Sequence, residues 1–315
     1  PACGFHHTIK INYYMMKRIL ISLATLCISV AVLAQQMPIS ENFFMDRSSL
    51  SPSYSGHFDP GTLFTSYRSD WSGIDGGPKT LRLSYSDDLM TNATWSGRII
   101  YDKAGIFNQL YLMGTYSYSL QVGEEHRILM ALSAGLYQNK LNYSGYYNDP
   151  DYNIDPVLTR DDVRSKLKFM SDFSAVYLFK GLEAGFMFAN INFGDAKYPD
   201  IDVSYKPLAN YQLHVAYSYP VSDRWLLNPL VYYRDGKYIK GQIGIAARME
   251  YQEKLWGSIS FRDPSIWGIG LGAEVLDGIR FSYNFNFSGS VELNLFNNHE
   301  VALGIDIRKL IGKGE

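Results

Sequence analysis

The stretch Ile279-Arg280-Phe281-Ser282-Tyr283-Asn284-Phe285-Asn286-Phe287-Ser288 sets apolar and polar residues in strict turn. Successive side chains on a strand point to opposite faces, so this segment reads as a strand with one oily and one wet side. The same alternation recurs down most of the 315-residue chain, with few apolar helical stretches to cover the oily faces. Lipid is the expected cover.

About fourteen strands are expected, near 62–70, 79–86, 94–102, 107–120, 126–142, 166–179, 181–193, 208–220, 224–235, 238–250, 253–262, 266–275, 278–288 and 299–307. An even number suits a closed antiparallel barrel whose two chain ends leave on one side. The three longest connections, about 143–165, 194–207 and 289–298, all follow odd-numbered strands, whereas most even-numbered turns are tight. Long loops on one face and short turns on the other mark an outer-membrane barrel. Trp71, Trp95, Trp225, Trp256 and Trp267 fall at or near strand ends, where their rings favour the headgroup level. The fold class expected is therefore all-β, a transmembrane antiparallel barrel of about fourteen strands in the cell outer membrane.

Composition closes off other classes. The chain holds 25 Tyr and 27 Gly, with a net charge of -2 and no concentrated basic face for nucleic acid. Mean hydropathy is slightly negative, unlike a bundle of membrane helices. Cys3 and Cys27 both precede Gln35, so a chain maturing there would have no thiol for a disulfide, a zinc site or a nucleophile. Met16 to Ala34 reads as a signal peptide, with basic Lys17-Arg18, an apolar core from Ile19 to Leu33, and the small-residue exit Val32-Leu33-Ala34. Residues 1–15 read as upstream sequence without fold. The rest divides into an N-terminal segment, 35–60, that is either periplasmic or tucked into the lumen, a barrel over 61–307, and a periplasmic tail, 308–315.

Two motifs stand near the start of the barrel. The first runs from Asn42 through Phe43, Phe44 and Met45 to Pro52, Tyr54 and Gly56. The second is Tyr67-Arg68-Ser69-Asp70-Trp71-Ser72-Gly73-Ile74-Asp75-Gly76-Gly77-Pro78-Lys79-Thr80. In the second, Arg68 and Asp70 share one strand face and must look into the lumen, because a charge facing hydrocarbon is costly. The glycines and Pro78 then suit a rigid turn. Arg68 has two readings: pairing with lumenal carboxylates to lock the barrel, or contact with a docked chain. Phe43 and Phe44 likewise read either as a peg for a partner or as packing inside their own barrel.

Together these motifs resemble the PorP/SprF family of type IX secretion system membrane proteins. The first matches the family at Pro52, Tyr54 and Gly56, with Ser51 for Asn. The second matches at Tyr67, Arg68, Trp71, Gly73, Gly76, Pro78 and Thr80, with Asp70 for Gln. Asp102 and Gly105 match its following hairpin. The resemblance implies a non-enzymatic barrel of the secretion or gliding motility machinery. It implies export or anchoring of a secreted surface protein client, with outer-membrane lipid and other type IX secretion components as partners.

Other chemistry is sparse. Asp149, Asp151, Asp155, Asp161 and Asp162 crowd one loop without EF-hand spacing, which reads as a solvated acidic loop. His214 shares a face with Gln212 and Ser218, but no Gly-x-Ser-x-Gly elbow supports a hydrolase. No cofactor or metal is expected. The alternatives are a passive diffusion porin and a soluble extracellular β-sandwich adhesin.

Overall fold

A computed structural model describes residues 40–312 apart from Gly73, Asp75, 143–161, 194–195, 199–203, 206–208, 237–238 and 290–296. The expected signal at 16–34 and all of the acidic loop except Asp162 lie outside the described residues.

The strands are β1 (Thr62–Asp70), β2 (Lys79–Met90), β3 (Ala93–Ala104), β4 (Phe107–Val122), β5 (His126–Leu141), β6 (Lys168–Phe179) and β7 (Leu182–Asn192). They continue with β8 (Asn210–Tyr217, resumed at Tyr219–Ser222), β9 (Trp225–Gly236), β10 (Ile239–Tyr251), β11 (Leu255–Arg262), β12 (Ile266–Leu276), β13 (Ile279–Ser288) and β14 (Asn297–Asp306). Each pairs antiparallel with the next. β14 then pairs with β1, from Thr62↔Asp306 to Asp70↔Asn298. The result is a closed fourteen-strand barrel with no unpaired edge, the condition for a sheet to sit in hydrocarbon.

Burial along the strands is inverted relative to a water-soluble protein. Leu112 on β4 is 49% exposed and Ile245 on β10 is 53% exposed, on the outer face. Their neighbours Met113 and Ala246, pointing inward, are 2% and 3% exposed. Arg82, Ser117, Asp172, Gln212, Asn284 and Glu300 are buried on the inner face. Oily side chains outside and polar ones inside are what a barrel in lipid requires, since only lipid spares the outer face from water.

Trp71, Trp95, Trp225 and Trp267 are exposed on or beside strand ends. Trp256 corrects the expectation. Leu255 takes the outward position at the start of β11, so Trp256 turns inward and packs against Met45, Phe64 and Ala302. The final strand also differs, ending at Asp306 and not at Ile307. The Asp306 carboxylate accepts the Lys309 backbone N–H at 3.0 Å and caps a helical turn, Ile307–Leu310. The Ile307 N–H donates to the Gly61 carbonyl at 2.9 Å, tying the two ends of the barrel together.

Even-numbered connections are short turns at one end, and the long connections after β5, β7 and β13 leave from strand ends at the other. In the loop after β5, Val163–Arg164 extends the β5 ladder; in the loop after β7, Ala196–Lys197 pairs with Ser204–Tyr205.

Candidate functional site in the barrel lumen

Residues 40–60 lie inside the ring of strands, and local chemistry explains how so short a piece stays compact. Asp46 caps one 3-10 turn, Arg47–Ser49, its carboxylate accepting the Ser48 N–H at 3.1 Å. Pro52 opens a second, Pro52–Tyr54, where its fixed φ and missing N–H cost nothing. Gly56 follows at φ +76, and a Cβ there would come 2.8 Å from the Thr94 Cβ. Glycine alone suits both the left-handed backbone and the close approach.

The wall meets this segment group by group. Ser53 and Ser174 hydroxyls lie 2.7 Å apart, and Ser117 donates to the Ser53 carbonyl at 2.9 Å. Gln212 donates to the Leu50 carbonyl at 2.9 Å, Arg248 to that of Phe44 at 3.0 Å, and Thr94 to that of Ser55 at 2.5 Å. Backbone groups that would otherwise be stranded in the lumen are thereby satisfied. Phe43, Leu50 and Tyr54 pack with Leu129, Val176, Leu230, Tyr232 and Ala246 from the wall. Ile100, Tyr111, Met113, Tyr137 and Met170 form a second inward apolar cluster on β3 to β6.

Several charges are paired inside this low-dielectric space. Arg262 holds Glu41 at 3.0 Å, and Arg68 holds Asp70 at 2.8 Å with Glu41 at 3.6 Å. Glu300 accepts the Ser40 hydroxyl at 2.7 Å and the Glu41 backbone N–H at 2.8 Å. Arg98 pairs with Asp172 at 3.1 Å, and Arg47 pairs with Glu183 while lying 4.5 Å over the Tyr54 ring. The Tyr54 hydroxyl donates to Glu183 at 2.7 Å. Burial and that carboxylate push the Tyr54 phenol well above its usual pKa, which keeps it a donor. Burial, and next the Arg127 cation, lower His57 to about 4, so near neutral pH its ring is uncharged beside Ser117.

The second motif sits where β1 meets the loop-bearing end. Arg68 and Asp70 both point inward, Tyr67 outward. Thr80 pairs in register with Asp102 and donates to its carboxylate at 2.7 Å. The Gly105 N–H donates to the Gly76 carbonyl at 3.2 Å, joining the β1–β2 and β3–β4 loops. The Pro78 carbonyl accepts the Asp70 N–H at 2.8 Å, and Trp71 takes a left-handed φ of 53. Gly73 lies outside the described residues. Pro52, Tyr54 and Gly56 thus gather with Phe43 and Phe44 in the lumen, while Arg68, Asp70, Gly76, Thr80, Asp102 and Gly105 gather at the loop-bearing rim.

Sequence reasoning passed over Glu41, Glu183 and Glu300, which with Arg262 hold much of the lumenal network. The one local signal was for Glu300, which lies on the strand face opposite Val301, Leu303 and Ile305. His214, the candidate hydrolase group, has its Nε2 2.9 Å from the Tyr54 hydroxyl. Between the segment and the wall are cavities of 170 and 190 Å³, the larger lined by Phe44, Arg248, Glu250, Trp256 and Arg280.

A closed barrel, oily outside and filled from within by its own N-terminal segment, is the architecture of a membrane β-barrel protein with an occupied lumen. A family model for the type IX secretion system membrane protein PorP/SprF matches residues 32–305. The chain belongs to that family. No curated protein matches it. Among solved structures it is similar to the outer membrane protein Omp33 of Acinetobacter baumannii, at 8% identity over 78% of this chain and 98% of that one, with a TM-score of 0.47. The CymD monoaromatic hydrocarbon channel is similar at 12% identity over 87% and 93%, with a TM-score of 0.48. The KdgM porin is similar at 8% identity over 78% and 98%, with a TM-score of 0.39.

Proposed function

We propose that this protein is a non-enzymatic outer-membrane component of the type IX secretion machinery that supports export or surface anchoring of particular secreted proteins. Family membership supports the machinery. The observation that favours it over a passive porin is the lumen, where residues 40–60 are hydrogen-bonded to the wall from β3 round to β14. A diffusion channel needs that space open.

In this reading the loop-bearing end faces outward and meets the client. Its rim is braced by Arg68, Asp70, Thr80 and Asp102, with Gly76 and Gly105 setting the loops. The turn-bearing end and the residues after Asp306 face the periplasm and the rest of the apparatus. Lipid covers the wall.

Two measurements test the proposal together. Full-length protein in planar bilayers should stay silent, and deleting its gene should stop secretion of specific surface proteins while other outer-membrane barrels are unaffected. Steady open channels with normal secretion would establish the porin instead. Phe43→Ser combined with Phe44→Ser should abolish client secretion while the barrel still assembles, and unchanged secretion would remove any client role for the pair.

A further inference from the structure

Ser40-Glu41-Asn42-Phe43 lies against the wall as a peptide lies in a receptor, each residue with its own set of partners. Ser40 donates to Glu300, which also accepts the Glu41 backbone N–H. The Glu41 carboxylate lies between Arg262 and Arg68. The Asn42 side-chain oxygen accepts from Ser282 and, at 2.7 Å, from Asn284. Phe43 packs beside Tyr232, ring centroids 6.1 Å apart, with Leu230 and Ala246 in the same cluster. These groups come from β1, β9, β10, β11, β13 and β14, all rigid strands and none of them a loop.

We propose that this wall is a peptide-binding site held in cis by the chain's own residues, and that a polypeptide presenting an acidic residue, an amide and an aromatic in succession exchanges for them. Two observations argue that the fit in cis is incomplete. The Arg262 Nε and the Asn42 Nδ2 are both buried, and neither has a hydrogen-bond partner among the described residues. A buried unpaired donor is costly, so a ligand that reaches the Arg262 Nε, and that carries no stranded amide donor as Asn42 does, gains over the resident segment. Exchange itself leaves no bare charge, because an incoming carboxylate replaces that of Glu41 on the same two guanidinium groups. The secretion reading supplies only the source of such a polypeptide; the site stands on the contacts.

The test uses full-length protein in detergent and a fluorescent peptide with the sequence of residues 38–46. Glu41→Ala with Phe43→Ala weakens the resident segment, and Glu41→Gln, which keeps the side chain's shape, serves as a second variant. Anisotropy should show saturable binding to the variants, weaker by about tenfold or more to the unsubstituted protein. Binding should disappear when the peptide's glutamate becomes glutamine, or when Arg262→Met is added to the protein. Variants that migrate as folded barrels yet bind no peptide, or bind it regardless of its glutamate, would overturn the site. Since secretion is not read, that failure would leave the machinery assignment standing.

Discussion

The Glu41 carboxylate lies 3.0 Å from the Arg262 guanidinium, joining the N-terminal segment to the last residue of β11. Both are buried, and among the described residues Glu41 is the carboxylate paired with Arg262, whereas Arg68 also has Asp70. Removing one member of such a pair strands the other charge, at about 3–5 kcal/mol. Glu41→Ala should therefore loosen the segment and produce flickering conductance in planar bilayers. Glu41→Gln with Arg262→Met, which removes both charges, should be quieter than either single substitution.

Acid should weaken docking of the same segment. His57 sits at about 4 in the folded protein, held down by burial and then by Arg127, against an ordinary 6.5. A displaced segment thus binds a proton more readily than a docked one, so His57 contributes its full stabilisation above about pH 6.5. That contribution falls as pH drops toward 4. Conductance per molecule, or susceptibility of the segment to protease, should rise across that window. His57→Asn should flatten the dependence.

Much of this fold could be read from period-2 alternation, because a wall one strand thick has only two faces and lipid leaves no ambiguity about which is which. The run from Ile279 to Ser288 became β13 with its register intact. Ends were harder. β2 continues past Ser86 to Met90, and Trp256 near the start of β11 turned inward, because strand ends are set by what packs there and not by alternation. The docking of Glu41 and Asn42 was illegible for a different reason: apart from Arg68, their partners Arg262, Ser282, Asn284 and Glu300 lie more than two hundred residues away, and no local pattern links them.

Gly56 offers a test of how tightly the segment must seat. Gly56→Ala carries a left-handed backbone penalty of about 1–3 kcal/mol and a collision with Thr94. Gly123→Ala shares the positive φ, yet among the described residues nothing beyond its chain neighbours lies within 4 Å of its Cβ. Protease release of the segment should therefore increase with Gly56→Ala and not with Gly123→Ala, although both should lower the melting temperature of the barrel. Equal behaviour would mean that the contact at Thr94 does not hold the segment in place.

The wall itself is tested by charge placed on one face or the other. Ile245, in the middle of β10, points outward and is 53% exposed. Arginine near the bilayer midplane on a barrel's outer face costs about 2–4 kcal/mol, because neither water nor a counter-charge reaches it. Ile245→Arg should lower the yield of folded protein in the membrane fraction and shift its urea unfolding midpoint down. Leu276→Arg sits beside the turn after β12, where headgroups and water solvate the guanidinium, and should be nearly neutral. A protein whose outer face met water would show the same small effect at both positions, so the gap between the two variants measures the bilayer directly.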